Sequence, residues 1–220
     1  MLRRKAQRNR KHLLVVGLPR SGTSLLASLI GAHPKVSMTN EDFTKNWLSN
    51  IGKPIVGNKL CVPRQLDWDR KNTISIRLLN KFGLLTLWPK SRYAITDYLN
   101  LPNLQIIGIK RNSDQVYKSL CNRGAVTWKP LGGDISKKPL SEEVIDYTIT
   151  RGKEILGRLE AKDNSYFINF EQLLENTEKE IQLVFEKLNL EYNESIISQA
   201  TKWNWMYPKV SKKGIDKSKK

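Results

Sequence analysis

The alternation of short apolar runs with helix-patterned stretches predicts an α/β fold of three layers, a central parallel sheet flanked by helices. Two observations carry that expectation. Apolar runs of strand length recur at 12–17, 104–109 and 166–170, and a stretch with helical spacing follows each of them. The first run also ends at a glycine that opens a loop, so the chain begins strand, loop, helix.

Each element has its own signal. His12-Leu13-Leu14-Val15-Val16-Gly17 is a β-branched apolar run closed by glycine, the pattern of a strand buried on both faces. Leu25, Leu26, Leu29 and Ile30 then recur at helical spacing, and His33-Pro34 closes the helix. Leu104-Gln105-Ile106-Ile107-Gly108-Ile109 repeats the strand signal and leads into a helix through Val116, Ser119 and Leu120. A helix is predicted over 141–161, opened by Ser141-Glu142-Glu143 and carrying Val144, Ile145, Ile149, Ile155, Leu156 and Leu159 on one stripe. Tyr166-Phe167-Ile168-Asn169-Phe170 is the last strand, and Leu173, Leu174, Ile181, Val184, Phe185 and Leu188 line the helix after it. Segments 50–72 and 123–140, rich in Gly, Pro and Lys, show no clean period and read as loops over the site.

Composition bounds what such a domain can be. At 220 residues, 39% hydrophobic and 27% charged, the chain can build one core, and no apolar run reaches membrane-spanning length. Two cysteines, Cys61 and Cys121, cannot make a disulfide framework or a structural zinc site, and both read as buried packing. With no signal-peptide pattern or membrane anchor, a soluble cytoplasmic protein is expected. The net charge of +17 is concentrated at the ends. Residues 1–12 and 209–220 hold twelve basic residues against one acid, and the central 196 residues carry only about +6. The expected organisation is a basic tail over 1–11, one α/β domain over 12–208 and a lysine-rich tail over 209–220. Contact with nucleic acid is expected only as nonspecific attraction to the tails.

Gly17-Leu18-Pro19-Arg20-Ser21-Gly22-Thr23-Ser24 has the glycine spacing of a phosphate-binding loop. Glycine permits the turn, backbone N–H groups line the concavity, and the helix N-terminus adds its positive dipole. Thr23 stands where a nucleotide triphosphatase would have lysine, and the strand at 104–109 ends in Lys110-Arg111 rather than in a metal-binding acid. The loop suits an anion, and no metal is expected.

These residues resemble the sulfotransferases that use 3′-phosphoadenosine 5′-phosphosulfate (PAPS). The opening loop, with His33-Pro34 closing its helix, is similar to that family's 5′-phosphosulfate loop. Arg111-Asn112-Ser113-Asp114 with Ser119 resembles its 3′-phosphate element, although Asn112-Ser113 stand where Asp-Pro is more common. Ile168-Asn169-Phe170-Glu171-Gln172-Leu173-Leu174 resembles a third segment, with Phe170 replacing tyrosine. The resemblance implies a P-loop NTPase-like fold and transfer of a sulfuryl group from PAPS to an acceptor hydroxyl, leaving 3′,5′-adenosine bisphosphate (PAP). It implies Arg20, Ser21, Gly22, Thr23, Ser24, Arg111 and Ser119 as cofactor-binding residues. Glu41 is implied as general base, with Asp42 as the alternative, and Arg20 and Lys59 as cations near the transferring group. His33 is expected to be structural. The acceptor is expected to be a carbohydrate or a tyrosyl or phenolic hydroxyl, with an anionic polymer tolerated. Three other readings stay open: a nucleotide-dependent kinase, a basic nucleic-acid-binding protein and a degenerate cofactor-binding scaffold.

Overall fold

In the computed structural model, residues 10–42, 48, 52–68, 93–123 and 140–203 are described, with backbone fragments at 125–126, 137–138, 210–211 and 214–215. The tails up to residue 9 and from 216, the Trp205-Met206-Tyr207 part of a tryptophan-rich cluster, and most of 123–140 lie outside these residues.

Five strands form one all-parallel sheet: β1 (Lys11–Gly17), β2 (Val36–Asn40), β3 (Ile55–Cys61), β4 (Leu104–Lys110) and β5 (Ser165–Asn169). Their order across the sheet is β2-β3-β1-β4-β5. Seven helices complete the described fold: α1 (Thr23–Gly31), α2 (Ile95–Leu99), α3 (Ser113–Arg123), α4 (Glu142–Glu160), α5 (Phe170–Glu175), α6 (Thr177–Leu188) and α7 (Ser195–Trp203).

Alternation along β1 explains the three layers. Leu13 and Val15 face the core built with α1, α6 and α7, and Leu14 and Val16 face the core built with α3 and α4. All four are fully buried, as expected of a central strand covered by helices on both faces. None of the helices among the described residues is long and apolar enough to cross a membrane.

The expected strands and helices at 12–17, 22–33, 104–109 and 141–161 are present, as is the last strand, with ends moved by a residue or two, but the single helix expected after that strand is two, α5 and α6, broken at Asn176. The reading of 50–72 as loop is overturned in part. Residues 55–61 are not a loop over the site but β3, the buried strand between β1 and β2. Gly57, Asn58 and Lys59 interrupt its apolar pattern, and their burial is supported by partners on other elements rather than by hydrophobicity. Cys121 is exposed on α3, whereas Cys61 is buried as expected.

The register aligns the carboxyl ends of the strands. Gly17 of β1 lies opposite Cys61 of β3 and Ile109 of β4, Asn40 of β2 lies opposite Lys59, and Lys110 lies opposite Asn169 of β5. Ligands of open parallel sheets sit beyond these ends, where the order of connections reverses about β1.

Candidate functional site

The loop from Leu18 to Gly22 joins β1 to α1 and turns through two left-handed residues, Arg20 at φ 71° and Gly22 at φ 94°. Glycine is required at both ends. A Cβ on Gly17 would lie 2.5 Å from Ser21 Oγ and 2.8 Å from the Ile109 carbonyl oxygen, and one on Gly22 would lie 2.3 Å from the Phe170 ring. Ser21 braces the turn: its N–H and its hydroxyl both donate to the Leu18 carbonyl, at 3.1 and 2.7 Å. From behind, α4 supports the loop, because the missing side chain of Gly152 makes room for Leu18.

The N-terminus of α1 carries no side-chain cap and no acid in its first turn. Its first N–H groups therefore have no competing anion of their own, and the helix dipole adds to them. Arg20 rises beside this end, and its Nε donates to Ser119 Oγ on α3 at 3.0 Å. Arg111, just past β4, donates from Nη1 to the Arg20 carbonyl at 2.8 Å and stacks on the Phe170 ring 4.5 Å away. Its Nε is buried without a partner among the described residues. Phe170 thus touches both the glycine of the anion loop and the arginine of the neighbouring strand end. A second strut runs from the Asn112 N–H to Glu171 Oε1 at 3.2 Å, while Asn112 Oδ1 accepts from the Asp114 N–H and so holds the start of α3.

The other half of the site lies on β2 and β3. Lys59 is 2% exposed, and its Nζ donates to Glu41 Oε1 at 2.6 Å. Glu41 sits immediately past β2 at φ 59°, its N–H donates to the Lys59 carbonyl at 2.9 Å, and its side chain is 39% exposed. From Lys59 a line of contacts reaches the loop: Cys61 Sγ is 4.0 Å from Nζ and 3.6 Å from Thr23 Oγ1. The sequence singles out Glu41 and Lys59 separately; the structure joins them in one ion pair. Sequence reasoning misses Cys61 as the bridge to Thr23, since no motif surrounds it.

His33 lies apart from this cluster. Its Nδ1 accepts from the Lys35 N–H at 3.1 Å, which leaves Nε2 to donate to the Glu191 carbonyl at 3.2 Å, and its ring packs edge-on against Phe185. Burial, with the positive charges of Lys35 and Lys53, pushes its pKa below the ordinary 6.5. His12, at the amino end of β1, bonds the Pro102 carbonyl.

The residues fit two separated anionic groups. The cradle at Gly17 and Gly22 admits only bare backbone, the helix end above it is uncapped, and Arg111 keeps a buried N–H unpaired. A buried guanidinium N–H without a partner is costly, and the candidate ligand would relieve that cost.

A parallel sheet in the order 2-3-1-4-5, with a glycine-bounded loop between the first strand and first helix, gives the chain an α/β fold of the P-loop type. Within that class, residues 13–79 match the model of the sulfotransferase family. The fold is similar to that of a mouse sulfotransferase solved in complex with PAP (TM-score 0.52, 15% identity, 89% of this chain and 63% of that one). It is also similar to the sulfotransferase domain of the curacin biosynthetic pathway (TM-score 0.52, 13% identity, 87% and 78%). A third likeness is to the sulfotransferase domain of a Synechococcus olefin synthase (TM-score 0.50, 12% identity, 87% and 78%). This chain thus spans under two thirds of the mouse protein's length. No curated protein matches the sequence. The chain has the sulfotransferase fold, and the family its motifs resemble is the one that the family model and these neighbours share.

Proposed function

We propose that the chain transfers a sulfuryl group from PAPS to an acceptor hydroxyl. The observation that carries this reading is the order of groups along the carboxyl edge of the sheet. Glu41 follows β2, Lys59 and Cys61 lie on β3, the uncapped anion loop follows β1, and Arg111 follows β4 with Ser119 on α3. Adjacent strands lie about 4.8 Å apart, so Glu41 stands roughly 10 Å from the loop on one side and Arg111 about 5 Å on the other. A base, a buried cation, a loop for one phosphate and an arginine for a second thus stand in a row.

When bound, PAPS supplies the sulfuryl group and a phosphate leaving group. Arg111 and Ser119 would grip the 3′-phosphate; Ser119 Oγ accepts from Arg20, which leaves its own proton to donate. Arg20 and the amides at the start of α1, from Thr23 and Ser24, would stabilise charge on the 5′-phosphate oxygen as its bond to sulfur breaks. Glu41 would take the acceptor proton, and its partly exposed carboxylate can be reached by an incoming hydroxyl. Lys59 would orient that carboxylate and carry positive charge toward the transferring group. The acceptor proposed is a carbohydrate or phenolic hydroxyl, and the scheme asks for no metal.

Calorimetric titration with PAP in the presence of a chelator tests the donor, and radiolabelled PAPS with pools of sugars and phenols tests transfer. Binding of PAP without magnesium, abolished in Arg111→Ala, is the expected result. A preference for magnesium-ATP over PAP would favour a kinase and overturn the reading. Arg20→Ala and Glu41→Gln should each lower turnover by at least ~100-fold.

A further inference from the structure

Resting on the reading of Glu41 as the base, we propose that Asn58 is the positioning residue that sets the Glu41 carboxylate against Lys59. Asn58 lies on β3, fully buried, one residue before Lys59. Its amide uses its full hydrogen-bonding capacity, two acceptor and two donor bonds. Oδ1 accepts from the Asp42 N–H at 3.1 Å and shares the single Thr39 hydroxyl proton with the Gly57 carbonyl, each 3.1 Å from Thr39 Oγ1. Nδ2 donates to the Asp42 carbonyl at 2.9 Å and to Tyr98 Oη on α2 at 3.2 Å.

Three of those four bonds bracket a single residue. Thr39 is two positions before Glu41 and Asp42 is one after it, so one side chain holds the chain on both sides of the base. Glu41 itself is in the left-handed region, which a glutamate does not adopt without outside support. Neighbouring residues of a strand point to opposite faces. Asn58 therefore grips the turn from one face of the sheet while Lys59 meets the Glu41 carboxylate from the other. Tyr98 completes the clamp as the partner of the amide's remaining donor, and the Asp42 N–H and carbonyl set which way the amide faces. A buried, fully bonded amide in the middle of a strand has one consequence that a purely apolar residue could not supply: a defined carboxylate position at the edge of the anion site.

The experiment compares wild type, Asn58→Ala, Thr39→Val and Glu41→Gln, alone and combined, by crystallography, PAP calorimetry and turnover of radiolabelled PAPS with 2-naphthol and methyl glucoside as probe acceptors. In Asn58→Ala the 2.6 Å contact between Glu41 and Lys59 should be lost. Turnover should fall about 100-fold, the scale for displacing a catalytic group by about an ångström. PAP affinity should stay within ~2-fold, and adding Asn58→Ala to Glu41→Gln should cost less than ~3-fold more, because both act through one group. Thr39→Val removes one of the four bonds and should show the same pattern at roughly a tenth of the effect, which keeps the test open if Asn58→Ala does not fold. An undisturbed Glu41–Lys59 pair in Asn58→Ala, or losses that multiply fully in the Glu41→Gln background, would overturn the positioning role alone. Wild-type turnover in Glu41→Gln would instead remove the base, and with it the reading on which the role rests.

Discussion

Replacing Gly22 by alanine perturbs the point where the anion loop, Phe170 and Arg111 meet. Gly22 has φ 94°, and an added Cβ would lie 2.3 and 2.5 Å from two carbons of the Phe170 ring. The backbone term is about 1–2 kcal/mol for an L-residue held at positive φ. Forcing a methyl group against a packed ring adds about 1–3 kcal/mol. Their total, about 2–5 kcal/mol, is a large share of the 5–15 kcal/mol that holds a typical domain together. For a chain of this length it corresponds to a fall of about 4–20 °C in Tm, read by circular dichroism. If the ring moves instead, Arg111 loses the face it stacks on at 4.5 Å, and PAP affinity should drop in the same variant. A double-mutant cycle separates the two terms. Truncating Phe170 to alanine removes the clash and leaves the backbone strain, so Gly22→Ala with Phe170→Ala should cost about 1–3 kcal/mol less than the separate costs combined. Strict additivity, or a Gly22→Ala protein melting within ~2 °C of wild type, would refute the reasoning.

Three further outcomes are expected. Lys59→Met removes a buried ammonium and leaves Glu41 in contact with water, so urea denaturation should show stability unchanged or raised by up to about 1 kcal/mol while turnover of PAPS falls at least ~100-fold; a protein destabilised by more than ~3 kcal/mol would contradict it. Gly157→Ala on α4 meets nothing within 4 Å, so it should raise stability by about 0.5–1 kcal/mol through helix propensity alone. Burial lowers the His33 pKa, so the unfolded chain binds a proton near pH 6.5 that the folded chain does not. Stability should therefore be intact above pH 6.5 and decline as pH falls from there toward the lowered folded value, and His33→Gln should flatten that decline in Tm measured between pH 7.5 and 5.

Much of the half proposed to bind the anion is legible in the order of amino acids. Arg20, Gly22 and Thr23 lie on a contiguous turn whose chemistry is local: glycine where the backbone must be bare, and a helix start without a cap. Arg111 and Ser119 are eight residues apart on one strand-to-helix junction, again a local pattern. The helix α4 is equally clear, because its apolar stripe repeats through nineteen residues.

The half proposed to meet the acceptor is not legible as a unit. Ile55–Cys61 reads as a loop because Gly57, Asn58 and Lys59 break any period, yet it is the buried strand that pairs with both β1 and β2. Likewise β2 is five residues long and only its first is buried, too short and too polar for a hydrophobic signal. Nothing near Lys59 in the chain announces that its ammonium will be buried, since its partner Glu41 is eighteen positions away. What the amino-acid order determined by itself was the set of elements whose signals are periodic or local, together with the anion loop. Which strand lies beside which, and hence that Glu41, Lys59, Cys61 and Thr23 stand in one line, was decided by tertiary pairing. The reason is physical: a strand's neighbours are chosen by non-local hydrogen bonds and shared burial, and a buried polar side chain is tolerated only where distant partners meet it.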